Sequence, residues 1–216
     1  MVVIGLNGSK MTAYFDIVAS GLGLIVISPF FLVLAIWIKL DSKGPVFYRQ
    51  VRVGRFNKDF RIFKFRSMRV GADKGSLVTI GGHDPRVTRS GYFIRKFKLD
   101  ELPQLINVLK GDMSFIGPRP WIPEYYKTMV NAQKVRTLVK PGITGLAQAN
   151  GRNGISILKK IDLDVKYVKG FSFFMDIIVI FETIKAVLSK SDADAGKQII
   201  HDELSELKAE NKRFVV

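Results

Sequence analysis

Asp16 and Lys39 bracket 22 consecutive residues, Ile17 to Ile38, none of which carries a charge. As an α-helix this run would be about 33 Å long, enough to cross the hydrocarbon core of a bilayer. It is too long for the apolar region of a cleaved signal peptide and has no basic stretch in front of it. The soluble alternative is a buried core helix. Ser28 and Pro29 lie in the middle of the run. Proline removes one amide donor and clashes with the carbonyl four residues back, so the helix is predicted to bend there. The Ser28 hydroxyl is placed to take up a freed backbone group. Two geometries stay open: a kinked helix that spans, or a sharply broken one that enters and leaves on the same side. The re-entrant form is the expectation. The basic residues that begin at Lys39 put the C-terminal end of the run on the cytoplasmic side.

Charge is distributed unevenly along the 216 residues. The net charge is +15, and residues 39–112 alone hold 17 basic and 7 acidic side chains. Residues 1–38 hold one of each sign. A neutral apolar segment therefore feeds directly into the most basic part of the chain. An excess of this kind points to nucleic acid or to an anionic membrane surface. Cysteine is absent and histidine occurs twice. That excludes disulfides, thiolate metal sites and thiol catalysis, and makes a histidine-based triad improbable.

The remaining elements read as an α+β chain, mostly helical with one short β-hairpin. Val46 to Val53 and Phe60 to Phe65 are rich in β-branched and aromatic residues and flank a turn at Gly54. Residues 71–91 read as loop. Leu99 to Lys110 reads as a helix that starts at Asp100 and stops at Gly111. Gly117-Pro118-Arg119-Pro120 and Lys140-Pro141-Gly142-Ile143-Thr144-Gly145 read as rigid turns. Ser156 to Lys169 is helical, and Phe171 to Leu188 suits an amphipathic helix lying at a membrane interface. The expected organisation is a membrane-inserted segment (1–40), a catalytic domain on the cytoplasmic face (41–190) and a charged tail (191–216).

Asp100 and Glu101 are the chemically suggestive pair. Alone, they are an ordinary helix start, because acids suit a first turn and Pro103 is tolerated there. Their surroundings differ from an ordinary helix start. Arg95, Lys96 and Lys98 come just before, and Arg119 and Arg152 lie in later glycine- and proline-rich turns. Carboxylates near several cations stay ionised. An ionised carboxylate can attack phosphorus or hold Mg²⁺ against phosphate oxygens. Arginine forks match those oxygens. Phosphoryl transfer depends on such positioning and charge neutralisation.

The run from Phe97 through Leu105, followed by Asn107-Val108-Leu109-Lys110-Gly111-Asp112-Met113-Ser114 and Gly117-Pro118-Arg119-Pro120, resembles the bacterial sugar transferase family. Its members are monotopic phosphoglycosyl transferases. Gly44-Pro45-Val46-Phe47, Lys64-Phe65-Arg66-Ser67-Met68, Asp84-Pro85-Arg86-Val87-Thr88, Lys140 to Gly145 and Asn150-Gly151-Arg152-Asn153 extend the likeness over about residues 10–190. The Ser28-Pro29 break resembles the family's re-entrant membrane helix, and the chain is similar to the small, single-domain members.

The resemblance implies a reaction and a set of roles. Asp100 would attack the β-phosphate of a UDP-sugar, release UMP and hold the phospho-sugar. A polyprenol (undecaprenyl) phosphate would then collect it. Glu101, with Asp100, would bind Mg²⁺. Arg95, Arg119, Arg152 and Arg66 would hold phosphates, and Asp164 would join the substrate-binding set. Asp176 matches a further acidic position with no assigned role. Arg66 also reads as a surface cation of the hairpin. The implied setting is the cytoplasmic face of the bacterial inner membrane, with anionic lipids as partners of the basic surface and no nucleic acid.

The rival reading is a membrane-tethered nucleic-acid binder. Phe47, Tyr48, Phe60, Phe63 and Phe65 interleave with the basic residues, a pattern that can stack bases. No named nucleic-acid motif accompanies it, and a binder has no use for the Asp100-Glu101 pair.

Overall fold

A computed structural model of the chain describes residues 6–72, 84–151 and 155–188. Residues Leu6–Asp41 form a single helix, α1, and the chain does not leave helical conformation at Ser28-Pro29. The sharp break expected there is replaced by a local repair. Pro29 has no N–H for the Ile25 carbonyl, and the Ser28 hydroxyl donates to that oxygen instead, at 2.8 Å. One face of α1 is lined by Asp16, Ser20, Leu34 and Ile38, all nearly inaccessible. The opposite face leaves Tyr14, Val18, Leu22, Ile25, Val26, Leu32, Val33 and Leu40 exposed.

The hairpin forms where the residue types place it. Strand β1 (Phe47–Val53) pairs antiparallel with β2 (Asp59–Phe65), from Phe47 opposite Phe65 to Val53 opposite Asp59. The turn closes with Phe56 and Asn57 both left-handed (φ 54° and 62°). Phe65 is buried with Leu34, Ile38 and Ile94, and its ring meets Phe31 of α1 edge-on at 4.9 Å. The hairpin is therefore packed on the apolar helix.

The segment expected as loop over 71–91 holds the start of a helix, α2 (Arg89–Lys96). Residues 73–83 of that segment lie outside the described residues. Thr88 caps α2 by accepting from the Gly91 amide, and Asp41, the last residue of α1, accepts from both the amide and the hydroxyl of Ser90. The helix expected over Leu99–Lys110 is divided. Leu99–Glu101 is a turn of 3₁₀-helix, and α3 runs Gln104–Leu109. Pro103 sits between them, where its lack of an amide donor costs nothing. Lys98, just before, is left-handed (φ 55°).

Asn107 of α3 shows why this helix docks where it does. Its amide is wholly buried; it donates to the Arg61 carbonyl and accepts from the Phe63 amide, both at 2.8 Å. One side chain thus satisfies the free edge of β2 as a further strand would. Gly111 (φ +80°) ends α3.

Of the two rigid turns read from the sequence, the first follows a strand and the second contains one. β3 (Ser114–Ile116) and β4 (Gly142–Thr144) pair in parallel. Gly117, Gly142 and Gly145 meet there backbone to backbone. A Cβ on Gly142 would lie 2.1 Å from the Gly117 nitrogen, and one on Gly145 would lie 2.1 Å from the Gly117 oxygen. This close approach admits glycine only.

Short helices α4 (Pro123–Thr128), α5 (Asn131–Lys134) and α6 (Leu146–Ala149) lead to α7 (Ile157–Lys169) and α8 (Phe173–Leu188). Trp121, Tyr125 and Tyr126 pack on Met129, Ile157 and Ile161 of the core. Val139, Leu146, Tyr167, Val168 and Val179 form a second cluster. Asp176 is buried in α8 and accepts from the Tyr167 hydroxyl at 2.6 Å, so it is not an exposed interfacial acid. The outer face of α8 shows Phe173, Phe174, Phe181, Ile184 and Leu188. The tail from residue 189 on lies outside the described residues.

Candidate active site

Two separate parts of the chain converge on Glu101. Lys64 comes from β2, on the strand whose edge Asn107 ties to α3. Arg119 comes from the turn after β3, held by the glycine contacts above. Lys64 Nζ and an Arg119 terminal nitrogen both donate to the same oxygen, Glu101 Oε1, at 2.7 and 2.9 Å. Burial alone would raise the Glu101 pKa. The joint field of Arg119 and Lys64 outweighs it and holds the carboxyl well below the usual range. In return Glu101, with Asp100 and Asp164 adding to it, raises the Arg119 pKa against the opposing effect of burial.

Asp100 is the neighbour with the opposite balance. Burial pushes its pKa up, and the Glu101 charge adds to that; Lys64 and Arg95 pull it back without restoring the ordinary value. Two adjacent carboxyls are thereby driven apart. Glu101 is fixed as an anion by two cations, while Asp100 is an acid whose ionised form is less satisfied and so keeps its basicity. Divergence of this kind marks a functional site more often than a structural one.

Arg52 of β1 completes the cationic wall. It donates to the Pro120 carbonyl at 3.1 Å and to Gln50 at 2.6 Å, and burial, with the nearby Arg119 charge, pushes its pKa down to about 10. The site thus presents cations from β1, β2, α2 and the 119 turn around two carboxylates. That is an arrangement for an anion of high charge, such as a diphosphate.

The expected site residues do not all converge. Asp100, Glu101, Arg95 and Arg119 share one electrostatic neighbourhood. The structure places Arg66 apart from them. Its guanidinium is buried at the C-terminal end of α1, donating to the carbonyls of Ile38, Ser42 and Lys43 and to the Ser42 hydroxyl. It neutralises the open carbonyls of that helix end, neither free on the surface nor open to substrate. Asp164 is an internal partner whose charge also reaches Arg119. It is paired with Arg136, and both side chains are at most 3% exposed. Arg152 lies outside the described residues.

Lys64 and Arg52 were missed as site residues, and Arg136 as the residue that holds the Arg119 backbone. Lys64 and Arg52 stood among many basic residues of the hairpin, and only the position of the 119 turn separates them from the rest. The signal for Arg136 was weaker still, a single cation in a mixed segment.

The donor set suits a hard divalent cation held in part by substrate. Among the described residues no three Asp, Glu or His groups cluster. Asp100 and Glu101 are adjacent oxygen donors, and both ion pairs of Glu101 go to Oε1. Mg²⁺ is commonly held by one or two carboxylates, with waters and substrate phosphates completing its shell.

The chain is similar to several known proteins. A 44% identity over 197 residues links the chain to a UDP-glucose:undecaprenyl-phosphate glucose-1-phosphate transferase of Klebsiella pneumoniae, covering 86% of this chain and 42% of the relative. An uncharacterized sugar transferase, EpsL, of Bacillus subtilis (strain 168) is 45% identical over 81% of this chain and 85% of its own length. A UDP-N-acetylgalactosamine-undecaprenyl-phosphate N-acetylgalactosaminephosphotransferase of Aeromonas hydrophila is 42% identical over 81% of this chain and 43% of the relative. The chain spans about two fifths of the length of the first and third of these. The model of the family described as bacterial sugar transferase matches residues 8–190, most of the chain, which therefore belongs to that family.

Proposed function

We propose that the protein transfers a sugar 1-phosphate from a UDP-sugar to a polyprenol phosphate in two displacements at Asp100. The observation that carries this reading is the Glu101 oxygen shared by Lys64 and Arg119, with the more basic Asp100 carboxyl beside it. In the first displacement an Asp100 oxygen attacks the β-phosphorus, and the bond to the bridging oxygen breaks. UMP leaves with the electron pair, and the phospho-sugar remains as an acyl phosphate. In the second, an oxygen of the polyprenol phosphate attacks the same phosphorus. The Asp100 carboxylate leaves, giving polyprenyl-diphosphate-sugar.

Lys64, Arg95 and Arg119 neutralise the diphosphate, and Arg119 on its glycine-locked turn orients it. Glu101 and Asp100 are the residues that would hold Mg²⁺, which when bound neutralises charge on the phosphate oxygens. A covalent intermediate lets a soluble donor and a lipid acceptor use one site in turn.

The membrane setting follows from α1. Among the described residues it is the one helix long and apolar enough to cross a bilayer. Both ends of its apolar run touch the same domain. Asp16 accepts from the Ser114 hydroxyl and the Phe115 amide at 3.1 Å, and at the other end Ile38 is buried with Phe65 and Ile94. A spanning helix would put Asp16 on the opposite side of the bilayer from the domain that buries Ile38. We therefore read α1 as inserted from one side with its outer face in lipid, and α8 as lying at the interface. The basic surface then rests on the anionic cytoplasmic leaflet of the bacterial inner membrane. The nucleic-acid alternative loses its support, because the hairpin rings are engaged. Phe47 stacks on Phe65, Phe65 packs on Phe31, and Phe63 carries the cations of Arg49 and Lys110.

The test is a panel of UDP-sugars supplied with undecaprenyl phosphate and Mg²⁺ and scored by UMP release. One donor is expected to give acceptor-dependent turnover. Absence of UMP with every donor, from protein that is folded and membrane-bound, would refute the reaction.

A further inference from the structure

A ladder of three half-exposed aromatic rings leads from α1 toward the segment that carries Asp100. The Trp37 ring lies 5.3 Å from that of Phe93, and Phe93 lies 4.7 Å from Phe97. Phe97 precedes the Leu99–Glu101 turn by one residue, Lys98. The three rings are 38%, 41% and 54% exposed, while Ile38 and Ile94 on the inner faces of the same two helices are completely buried. The helices therefore have their core contacts, and the ladder is left outside them. Ile36 and Leu40 continue the apolar surface along α1. A contiguous exposed apolar strip of this kind marks a binding surface.

The strip changes character at one end only. Lys96 Nζ lies 5.7 Å from the Phe97 ring centre, and the Arg95 charge is among those that act on Asp100. The strip is apolar over its length and cationic where it approaches the carboxylates. The complementary ligand is an amphiphile with a long hydrocarbon tail and a phosphate end. Methyl-bearing alkene chains gain dispersion contacts on ring faces and edges.

We propose that Trp37, Phe93 and Phe97 form the track on which the isoprenoid tail of the polyprenol phosphate lies, leading its phosphate to Asp100. This rests on the reaction proposed above. The occupant is the acceptor rather than bulk lipid because the track leads to the turn that carries Asp100 and turns cationic there. A membrane anchor shares the cations but has no need to lead to that turn.

Acceptor length tests the proposal. Phe93→Ala is expected to raise the KM for undecaprenyl phosphate about tenfold, the loss of one well-packed aromatic contact. The KM for short geranyl phosphate, whose tail covers only the Phe97 end, should change less than about twofold. Donor-only UMP release and flotation with liposomes should match the wild type. Phe97→Ala should weaken both acceptors. Equal effects of Phe93→Ala on the two acceptors, or loss of flotation, would overturn the track and leave an anchor. Phe93→Leu, which keeps apolar volume in a folded chain, should show the same selectivity at about threefold. Direct titration of the two prenyl phosphates against wild type and variants needs no turnover. A wrong reaction and a wrong track therefore give different results.

Discussion

The Arg136 guanidinium donates to the backbone carbonyl of Arg119 at 2.7 Å, with the same terminal nitrogen that pairs with Asp164. The Arg136 group also lies over the Trp121 ring at 4.7 Å. A buried ion pair therefore supports the turn that brings Arg119 to Glu101. Its members touch no substrate and act by position.

Two substitutions separate support from stability. Asp164→Ala leaves the Arg136 charge buried without its partner, a change that costs about 3–5 kcal/mol in comparable sites and should lower Tm markedly. Arg136→Lys keeps the charge but loses the guanidinium plane that lies over the Trp121 ring and fixes the nitrogen shared by the two acceptors. Its expected effect is a roughly tenfold fall in kcat/KM for the UDP-sugar, from loss of one charge-assisted hydrogen bond. The decisive measurement is the double variant with Arg119→Ala. If Arg136 works through Arg119, the second substitution adds little to the first. Multiplying losses would mean that Arg136 serves the fold alone.

Asp100→Asn should abolish UMP release, because an amide oxygen cannot form the acyl phosphate and leave again as a carboxylate. The same variant is expected to hold or raise Tm. The folded chain raises the Asp100 pKa through burial and the Glu101 charge, so near neutral pH the ionised carboxylate is less stable in place than in the unfolded chain. A neutral isostere removes that penalty. Full turnover by Asp100→Asn would remove Asp100 as nucleophile. A large loss of Tm would make it structural.

The pH dependence follows from the same balance. The nucleophile must be ionised, and its pKa lies above the ordinary aspartate value of 3.8, so activity is lost as pH falls through that raised value. The acidic limb of kcat/KM for donor-only UMP release should therefore sit above 3.8. Arg95 lowers the Asp100 pKa, so Arg95→Gln should move the limb to higher pH. Glu101 has the reverse sign. Its pKa is depressed, so the stability from its pairs with Lys64 and Arg119 persists until pH falls below the usual carboxylate range. A limb that stays in place in Arg95→Gln would assign it to another group.

Much of this was legible in the residues, and what was not has physical reasons. The hairpin was readable because β-branched and aromatic residues flank Gly54, and the apolar helix because Ile17–Ile38 carries no charge. The turns at Gly117 and Gly142 were readable as rigid, but the strands β3 and β4 beside and within them were not. Their pairing joins residues 28 apart, Ser114 with Gly142 and Ile116 with Thr144, which no local pattern encodes. The places of Arg66 and Asp164 were not legible, because charge suggests exposure and both are buried. Arg66 is spent on the carbonyls of a helix end, and Asp164 on an arginine 28 residues earlier. Lys64 was hidden by its basic neighbours until β2 met the 119 turn. The continuity of α1 was the least readable, since Ser28 repairs the defect that Pro29 creates.

Membrane topology can be read from single cysteines, since the chain has none of its own. Met11 is 60% exposed before the apolar run, and Lys43 is exposed just after it. The Asp16 hydrogen bonds to Ser114 and Phe115 and the packing of Ile38 on Phe65 hold both ends of the run on one domain. Met11→Cys and Lys43→Cys should therefore both react with a membrane-impermeant maleimide in inside-out vesicles, and neither should react in intact spheroplasts. Asp16→Ala provides an internal check. Losing the two bonds to Ser114 and Phe115 should loosen the N-terminal half of α1 and speed amide exchange there, without moving Lys43→Cys to the other side. Labelling of Met11→Cys in spheroplasts alone would mean that α1 spans, and that its contacts with β3 are not made in the membrane.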